Sequence, residues 1–272
     1  MRVKVFSYGG GVQSTAALVL AVQGQLECDA FLFANVGDDS ENPATLRYVH
    51  EVAIPYAMRS GVPLHELRKM RLVRGTGRRE PETVRERLMR PGSRSIGIPV
   101  RMSNGAPGRR ACTTDFKVRL IARWCREHGA TPAHPAITML GISLDEFQRM
   151  RNDSGIAYTR LAYPLVDRRM TRQDCINVIA DAGLPVPPKS SCWFCPFHTL
   201  GRWREMRDRE PELFAKAVAL ERHINDKRAR LGRYQVWLSG ALKPLDKAVG
   251  DASQPSLFAE TDDACESGYC MV

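Results

Sequence analysis

The sequence predicts an α/β fold, an open and mostly parallel sheet with helices on both faces, and two observations support this prediction. Short apolar, β-like runs alternate with helix-like segments through the first 67 residues, and this alternation is typical of βαβ units. A run of three glycines also stands between the first such strand and the first helix. At 272 residues, the chain can bury a full core as one large domain or as a domain with an appendage.

The predicted elements follow from hydrophobic pattern and end signals. Strands are predicted at 2–6, 30–34, 62–67, 136–140 and 158–162. Helices are predicted at 14–23, 44–59, 114–128, 171–182 and 211–231, with a further helical stretch in 81–89 and a long loop over 92–110. Thr171 and Asp174 have the spacing of a capping box at the start of one helix. The segment 184–188 is a rigid, proline-rich connector to a C-terminal helical extension that contains cysteines.

The glycine-rich turn, residues 7–15, reads Ser-Tyr-Gly-Gly-Gly-Val-Gln-Ser-Thr. Glycines let the backbone approach a phosphate closely, and the N–H groups of the first helical turn point toward it. Ser7, Ser14 and Thr15 add hydroxyl groups. The stretch lacks the Gly-Lys-Ser/Thr of a Walker loop, and a glycine turn of this kind can also be purely structural.

Positive charge is concentrated in one segment. The chain carries a net charge of +10, and residues 68–110 contain 13 Lys+Arg against 3 Asp+Glu, which is also a net +10. A clustered basic segment suits a polyanion, of which nucleic acid is the commonest. The alternative is an arginine-rich solvated face. We find no apolar run of membrane-spanning length and no signal peptide, and we therefore expect a cytoplasmic protein.

The eight cysteines are irregularly spaced, which favours reduced thiols, metal binding or catalysis over a disulfide framework. Cys192 and Cys195 form a Cys-x-x-Cys pair, which can serve a metal, an iron–sulfur cluster or redox exchange. Cys28 and Cys125 are predicted to be small core residues.

Residues 9–14 resemble the PP-loop, the Ser-Gly-Gly-x-Asp-Ser turn of the N-type ATP pyrophosphatases and of the phosphoadenosine-phosphosulfate reductases. Gly9 stands where serine is usual and Gln13 where aspartate is usual. The resemblance implies an adenine nucleotide alpha-hydrolase-like fold with ATP and Mg²⁺ as ligands. The implied nucleotide-binding residues of this turn are Ser7, Gly9, Gly10, Gly11, Gln13, Ser14 and Thr15.

Further stretches are similar to the same superfamily, over residues 2–215. Asp38 and Glu41 match the acids of an Asp-Thr-Gly-x-Glu turn beside the nucleotide, although an ordinary helix cap at Ser40 or Asn42 also explains this region. Residues 141–149 resemble a Gly-x-x-x-Asp-Glu-x-x-Arg stretch at the active-site edge of the sheet. This resemblance implies ligand-binding roles for Asp145 and Glu146, and it makes Lys117 and Arg149 candidate phosphate-contacting catalytic residues.

The cysteine spacing is similar to that of assimilatory sulfonucleotide reductases, which hold a [4Fe–4S] cluster. Cys112 precedes Lys117 and Val118 as in the first motif of that family, and Cys192 and Cys195 match the second. The resemblance implies a cluster with three protein ligands, or with Cys175 as a fourth, and structural zinc or free thiols are the alternatives. Cys270 in the C-terminal tail is a candidate catalytic residue that carries sulfur, the alternative being an incidental thiol.

These resemblances imply an iron–sulfur ATP pyrophosphatase that adenylates a nucleic-acid oxygen and replaces it with sulfur. DNA phosphorothioation is the favoured setting, with tRNA thiolation and sulfonucleotide reduction as alternatives and a non-catalytic nucleic-acid-binding module as a third class. The implied partners are DNA or tRNA and a sulfur donor such as a cysteine desulfurase, and a homodimer is compatible with the sequence.

The predicted organisation has three parts. Residues 1–185 form the PP-loop α/β domain with a basic insertion at about 68–110, residues 186–250 form the Cys-x-x-Cys and helical region, and residues 251–272 form a mobile acidic tail.

Overall fold

The computed structural model describes residues 2–73, 75–91 and 96–250. Within these ranges the main sheet has five parallel strands in the order β3-β2-β1-β6-β7. Its strands are β1 (Lys4–Tyr8), β2 (Ala30–Asn35), β3 (Leu64–Arg68), β6 (Ala136–Leu140) and β7 (Thr159–Ala162). A separate antiparallel pair consists of β4 (Met70–Leu72) and β5 (Arg79–Pro81).

The helices alternate with these strands as the sequence predicts. They are α1 (Val12–Val22), α2 (Pro43–Tyr48), α3 (Ile54–Arg59), α4 (Val84–Met89), α5 (Ala111–Thr113), α6 (Arg119–Glu127), α7 (Pro164–Asp167), α8 (Arg172–Asp181), α9 (Leu200–Arg209), α10 (Pro211–Ala229) and α11 (Leu245–Gly250). Two π-helical turns, Val49–Ala53 and Thr114–Val118, join α2 to α3 and α5 to α6, and Leu144–Arg149 is a 3₁₀ turn. No helix in the described part of the chain is both long and apolar enough to cross a membrane.

Both faces of the sheet are covered, because alternate side chains of β1 and β2 enter two different apolar clusters. Phe6 and Phe31 pack with residues of α1 and α8 on one face. Val5 and Leu32 pack with Ile121 of α6 on the other. Strands buried on both faces read as continuous apolar runs, which explains why the sequence reveals them. The predicted α/β class is therefore confirmed.

A second large apolar cluster lies outside the sheet and joins distant parts of the chain. It contains Val84 and Leu88 of α4, Phe116 of the second π turn, and Trp193 and Trp203 from the C-terminal region, all almost fully buried. The basic segment and the C-terminal helices therefore share one core. The sequence did not predict this packing, nor helices α9 and α11, nor the β4–β5 hairpin inside the basic segment.

The strand order places a topological switch point between β1 and β6. From β1 the chain moves outward through β2 and β3, and it then returns to the other side of β1 as β6. In open parallel sheets, ligands bind in the crevice at the carboxyl ends of the strands at such a point. Ser7 and Leu140 are paired in register near those carboxyl ends.

Candidate functional site: a cationic cleft at the switch point

A cleft opens at the carboxyl ends of β1 and β6, where the fold predicts a ligand site. Its walls come from the glycine turn, the 3₁₀ turn, the start of α8 and the connector that precedes Cys192. The cleft is lined by Ser7, Gly9, Gly11, Val12, Gln13, Ser14, Lys117, Leu140, Gly141, Ile142, Glu146, Arg149, Arg172, Pro188, Lys189 and Ser190. Eight of the predicted site residues are among them: Ser7, Gly9, Gly11, Gln13, Ser14, Lys117, Glu146 and Arg149.

The glycine turn has the backbone conformation that only glycine adopts easily. Gly10 has φ +74°, and a Cβ built on it would lie 2.9 Å from Thr45 Cγ2. Gly11 is the N-cap of α1, and its N–H donates to Ser14 Oγ at 3.1 Å. The turn therefore brings the backbone to the N-terminus of a buried helix, where N–H groups and the helix dipole favour an anion.

Four basic side chains line the cleft, against one carboxylate among the described lining residues. They are Lys117 from the second π turn, Arg149 from the 3₁₀ turn, Arg172 from the start of α8 and Lys189 from the connector. Lys117 Nζ lies 3.8 Å from Glu41 Oε1, and Glu41 is only 2 % exposed. This excess of positive charge beside a helix N-terminus is suited to a polyphosphate.

The carboxylate in the cleft, Glu146, joins the 3₁₀ turn to α1. It forms an ion pair with Arg149, and its Oε2 accepts a hydrogen bond of 3.2 Å from Gln13 Nε2. Gln13 also donates to Ser143 Oγ at 3.3 Å, which joins α1 to the 3₁₀ turn. Burial raises the pKa of Glu146, and the neighbouring Arg149 opposes this rise. Glu146 thus holds Arg149 and Gln13 in fixed positions at the cleft wall.

Four of the predicted nucleotide-binding residues do not line the cleft. Thr15 is fully buried, and its hydroxyl lies 3.0 Å from the Tyr8 hydroxyl in the core. Asp38 pairs with both terminal nitrogens of Arg68, which lowers its pKa. Asp145 accepts a hydrogen bond of 3.0 Å from the Arg172 N–H and so helps to cap α8. Gly10 acts through the shape of the turn.

The Cys-x-x-Cys segment is fastened to the edge of the sheet beside the cleft. Cys192 forms an antiparallel bridge with Glu41, and Trp193 Nε1 donates to the Asp39 carbonyl at 2.8 Å. The Ser190 hydroxyl donates to the Gly9 carbonyl of the glycine turn. The Cys195 N–H donates to the Cys192 carbonyl at 3.1 Å and closes the turn. The glycine turn and the segment that leads into the Cys-x-x-Cys pair are therefore neighbours, through the contact between Gly9 and Ser190, which are 181 residues apart.

Cys112 lies at the start of the helical segment that carries Lys117, and like Cys192 it packs against the second apolar cluster. The side chains of Arg110 and Arg101 lie over the Phe197 ring, 5.1 and 5.6 Å from its centroid. These contacts bring the chain around Cys112 to the region after Cys195.

Two other predicted cysteines are placed differently. Cys175 is fully buried in the cluster between α1 and α8, away from the cluster that contacts Cys112 and Cys192, and burial raises its pKa to about 12. Cys270 lies outside the described residues. Among the residues that the structure describes, no group of three or more Cys, His, Asp or Glu side chains is arranged to hold a metal ion.

Sequence reasoning missed three residues of the cleft with charged or hydroxyl side chains: Arg172, Lys189 and Ser190. Arg172 follows the Thr171 cap, and Lys189 and Ser190 follow the prolines of the connector. The sequence signal for these three residues was their position at a helix start or just before a cysteine pair. Their convergence on the cleft depends on tertiary contacts.

Comparison of the chain with models of known protein families, with curated proteins and with solved structures finds no match.

Proposed function

We propose that the protein is an ATP pyrophosphatase of adenine nucleotide alpha-hydrolase-like fold, which adenylates an oxygen of a nucleic acid and supports its replacement by sulfur. The observation that carries this proposal is the convergence of the glycine turn at the N-terminus of α1 with Lys117, Arg149, Arg172 and Lys189 in one cleft. A site of this charge, at a switch point of a parallel sheet, is suited to the triphosphate of a nucleotide.

In the first step an oxygen of the acceptor attacks the α-phosphorus of ATP. An oxygen–phosphorus bond forms, the bond between the α-phosphorus and the bridging oxygen breaks, and pyrophosphate leaves with the electron pair. Backbone N–H groups of the glycine turn, with Lys117 and Arg149, stabilise the negative charge that develops on the leaving group. These groups are already in place, so little reorganisation accompanies the reaction.

Mg²⁺ would share that charge. Mg²⁺ prefers oxygen ligands, and the cleft offers the Glu146 carboxylate with the hydroxyls of Ser7 and Ser14. Gln13 occupies the position where the resembled loop has aspartate, and it donates to Glu146. Glu146 is accordingly the carboxylate that we assign to this role.

In the second step a sulfur nucleophile at the oxidation level of sulfide attacks the atom that bears the adenylated oxygen. The new bond to sulfur forms, the bond to that oxygen breaks, and AMP leaves. The acceptor thus exchanges one oxygen for one sulfur with no change in its own oxidation state. The donor that we propose is a cysteine desulfurase, which supplies sulfur as a persulfide, together with a thiol reductant that releases this sulfur as sulfide and is itself oxidised to a disulfide.

We further propose that Cys112, Cys192 and Cys195 bind a [4Fe–4S] cluster. Soft thiolates are the ligands that such a cluster takes. The closed turn at Cys192 and Cys195, and the packing of Cys112 and Cys192 against one apolar cluster, support this donor set. The three thiols are not gathered around one metal position in the described structure, so binding of the cluster would draw Cys112 toward the other two. When bound through three thiolates, the cluster would supply an open coordination position for sulfide. The placement of Cys175 in the core supports three protein ligands.

The acceptor that we favour is DNA, with tRNA as the alternative. The basic segment, residues 68–110, supports a polyanionic partner. In the described part of this segment, the Arg101 and Arg110 side chains lie near the Cys-x-x-Cys turn through Phe197.

The test is pyrophosphate release from ATP, followed by retention of ³⁵S on DNA or on tRNA in the presence of a desulfurase and labelled cysteine. We expect Lys117→Ala and Arg149→Ala to lower pyrophosphate release by about 10²-fold each, the size typical of one lost charge-stabilising donor. Lys247→Ala, an exposed lysine of α11, is the matched control.

Label on tRNA alone would overturn the DNA acceptor. Reduction of adenosine phosphosulfate without ATP, abolished by Cys270→Ser, would overturn the adenylating reaction in favour of a sulfonucleotide reductase.

A further inference from the structure

A second pocket adjoins the ATP cleft on the α6 face of the sheet, and we call it the side pocket. Its walls are mostly apolar and include Val118, Ile121, Ala122, Ile156 and Leu161. Three residues, Ser7, Lys117 and Leu140, line both the side pocket and the cleft. The two cavities are therefore adjacent, so that two neighbouring ligands can lie on either side of these three residues.

A buried hydroxyl in this pocket has no hydrogen-bond partner among the described residues. Thr138 of β6 lines the pocket, is 7 % exposed, and its Oγ1 makes no hydrogen bond there. Burial raises the pKa of the neighbouring Cys125 thiol to about 11, and the Thr138 hydroxyl counters part of this rise. The hydroxyl and the thiol nevertheless do not meet hydrogen-bond geometry. A buried polar atom left unpaired is costly, and a ligand with a polar edge would satisfy it once the side chain turns its buried Oγ1 toward the pocket.

The rim of the side pocket carries groups that suit a nucleic-acid strand. Arg151 is exposed, and its backbone is held by two 2.8 Å hydrogen bonds with the Tyr163 hydroxyl. The preceding 3₁₀ turn, which is kinked at Glu146, carries Leu144 and Phe147, and Met150 is its C-cap. All three are exposed, Phe147 by 62 %. An exposed aromatic ring can stack on an unstacked base and an exposed arginine can contact its phosphate, and Phe147 precedes Arg151 of the pocket by four residues.

We propose that the side pocket receives a nucleobase of the acceptor nucleic acid, with the Thr138 hydroxyl bonding to one edge of the ring. This inference rests on the proposed function for its choice of a nucleic acid. An apolar slot with one or a few placed polar groups is the usual form of a base-binding pocket. In this proposal Phe147 and Arg151 contact the neighbouring nucleotide, a contact that ATP alone would not need, and the test below distinguishes the acceptor from the adenine of ATP.

The proposal gives the two groups separable roles. Thr138 reads the base, so its loss changes which base is preferred. Phe147 stacks without reading, so its loss weakens binding of every sequence alike.

The test uses the full chain with fluorescently labelled single-stranded hexamers, dA6, dC6, dG6 and dT6, whose Kd is measured by anisotropy, and with ATP binding measured separately. In the wild type we expect one hexamer to bind at least fivefold more tightly than the others. Thr138→Val should remove that preference, Ala122→Leu should remove it by filling the slot, and Phe147→Ala should weaken all four hexamers by a similar factor. The Kd for ATP should stay within twofold in all three variants.

Thr131→Val, in an exposed turn, controls for the substitution type. Thermal unfolding checks that each variant folds, and Thr138→Val should unfold at the same or a higher temperature because it loses an unpaired buried hydroxyl. Weaker ATP binding with unchanged hexamer binding would assign the pocket to adenine and overturn the proposal. Unchanged binding of both would overturn it as well. Because these readouts are binding constants, they stand apart from pyrophosphate release, whose absence would count against the proposed function alone.

Discussion

Gly10 sits where the backbone of the glycine turn comes closest to α2. It has a positive φ, and the space where a Cβ would be is taken by Thr45 Cγ2 at 2.9 Å and Val49 Cγ2 at 3.2 Å. The residue therefore shapes the turn in two ways, through its conformation and through the absence of a side chain. Gly9 and Gly11, on either side, face the cleft.

Gly10→Ala is expected to destabilise the protein more than Gly24→Ala does. Gly24 has nearly the same φ, +72°, but nothing lies within 4 Å of its missing Cβ. Comparison of the two variants therefore separates the cost of a positive φ from the cost of steric overlap. We expect a difference of about 1–3 kcal/mol in the free energy of unfolding, the usual cost of overpacking, measured by urea denaturation. Thr45→Ser, which removes Cγ2, should restore part of the loss. Equal losses in the two glycine variants would contradict the close contact.

Glu82 is the anion of a buried network in the basic segment. It is 5 % exposed and accepts hydrogen bonds of 2.7 Å from both Arg87 and Arg90, with Lys69 at 3.4 Å. Burial alone would raise its pKa, but the hydrogen bonds from Arg87 and Arg90 outweigh burial and hold the pKa at about 2. Arg87 also bonds to Asp115, two residues from Lys117.

The depressed pKa predicts a component of acid denaturation. A carboxyl with a lower pKa in the folded state stabilises the fold above its unfolded pKa near 4.5, and this contribution is lost as the pH falls toward 2. The shift corresponds to at most about 3 kcal/mol. The difference in unfolding free energy between wild type and Glu82→Gln should therefore shrink from pH 5 to pH 2. Glu80→Gln, an exposed neighbour, should show no such change, and a constant difference for Glu82→Gln would refute the network.

At the scale of the element, short non-α-helical turns position the cleft. The 3₁₀ turn carries Glu146 and Arg149, which line the cleft, together with the exposed apolar residues Leu144 and Phe147. The second π turn carries Lys117, and such turns often mark functional sites. The start of α8 adds Arg172, fixed by the Thr171 and Asp174 capping box and by Asp145.

The cap of α8 provides the element-scale prediction. Thr171→Ala removes the hydroxyl that accepts from the Asp174 N–H at 3.2 Å, and it should cost about 1 kcal/mol of unfolding free energy. Thr171→Ser keeps the hydroxyl and should cost much less. Urea denaturation of the two variants compares them directly, and an alanine variant as stable as the serine variant would show that the cap contributes nothing.

Many of the strands, helices and helix caps could be predicted from sequence, because local signals determine them. Strand β6 is found at its predicted residues, and the Thr171–Asp174 cap is confirmed. Helix α1 begins two residues before the predicted start, and β1 continues through Tyr8, whose ring packs against Phe31 and Phe33. Residues such as Thr15 and Asp38 have side chains suited to a ligand, but their actual partners, Tyr8 and Arg68, are set by packing that the sequence pattern does not encode.

At the scale of the whole molecule, the composition of the basic segment overstates its effective positive charge, because many of its basic side chains lie close to carboxylates. Six of its basic residues face carboxylates within 4 Å: Arg68, Lys69, Arg71, Arg85, Arg87 and Arg90. Arg101 and Arg110 lie over the Phe197 ring, and Arg74 and Arg94 lie outside the described residues. Two of the three predicted parts also share one core, because the second apolar cluster combines residues of the basic segment with residues of the C-terminal helices.

This pairing predicts a modest salt dependence for nucleic-acid binding. Each phosphate neutralised contributes about −0.7 to the slope of log K against log salt concentration for a single strand. Since many of the thirteen basic residues are already paired, we expect a slope between about −2 and −4. The slope is measured by anisotropy of a labelled single strand of about 30 nucleotides between 50 and 300 mM salt, because a strand with fewer phosphates than the segment has basic residues would limit the slope by itself. A slope near about −9, as thirteen free charges would give, would contradict the pairing.

The most direct test of the central proposal, that the cationic cleft activates an acceptor by adenylation, is the identity of the phosphate products. ³¹P nuclear magnetic resonance of ATP incubated with the protein, Mg²⁺, DNA and a source of sulfide follows every phosphorus at once. The account predicts resonances of pyrophosphate and AMP in equal amounts, both lost in Arg149→Ala. Resonances of ADP and inorganic phosphate, or unchanged ATP, would contradict it.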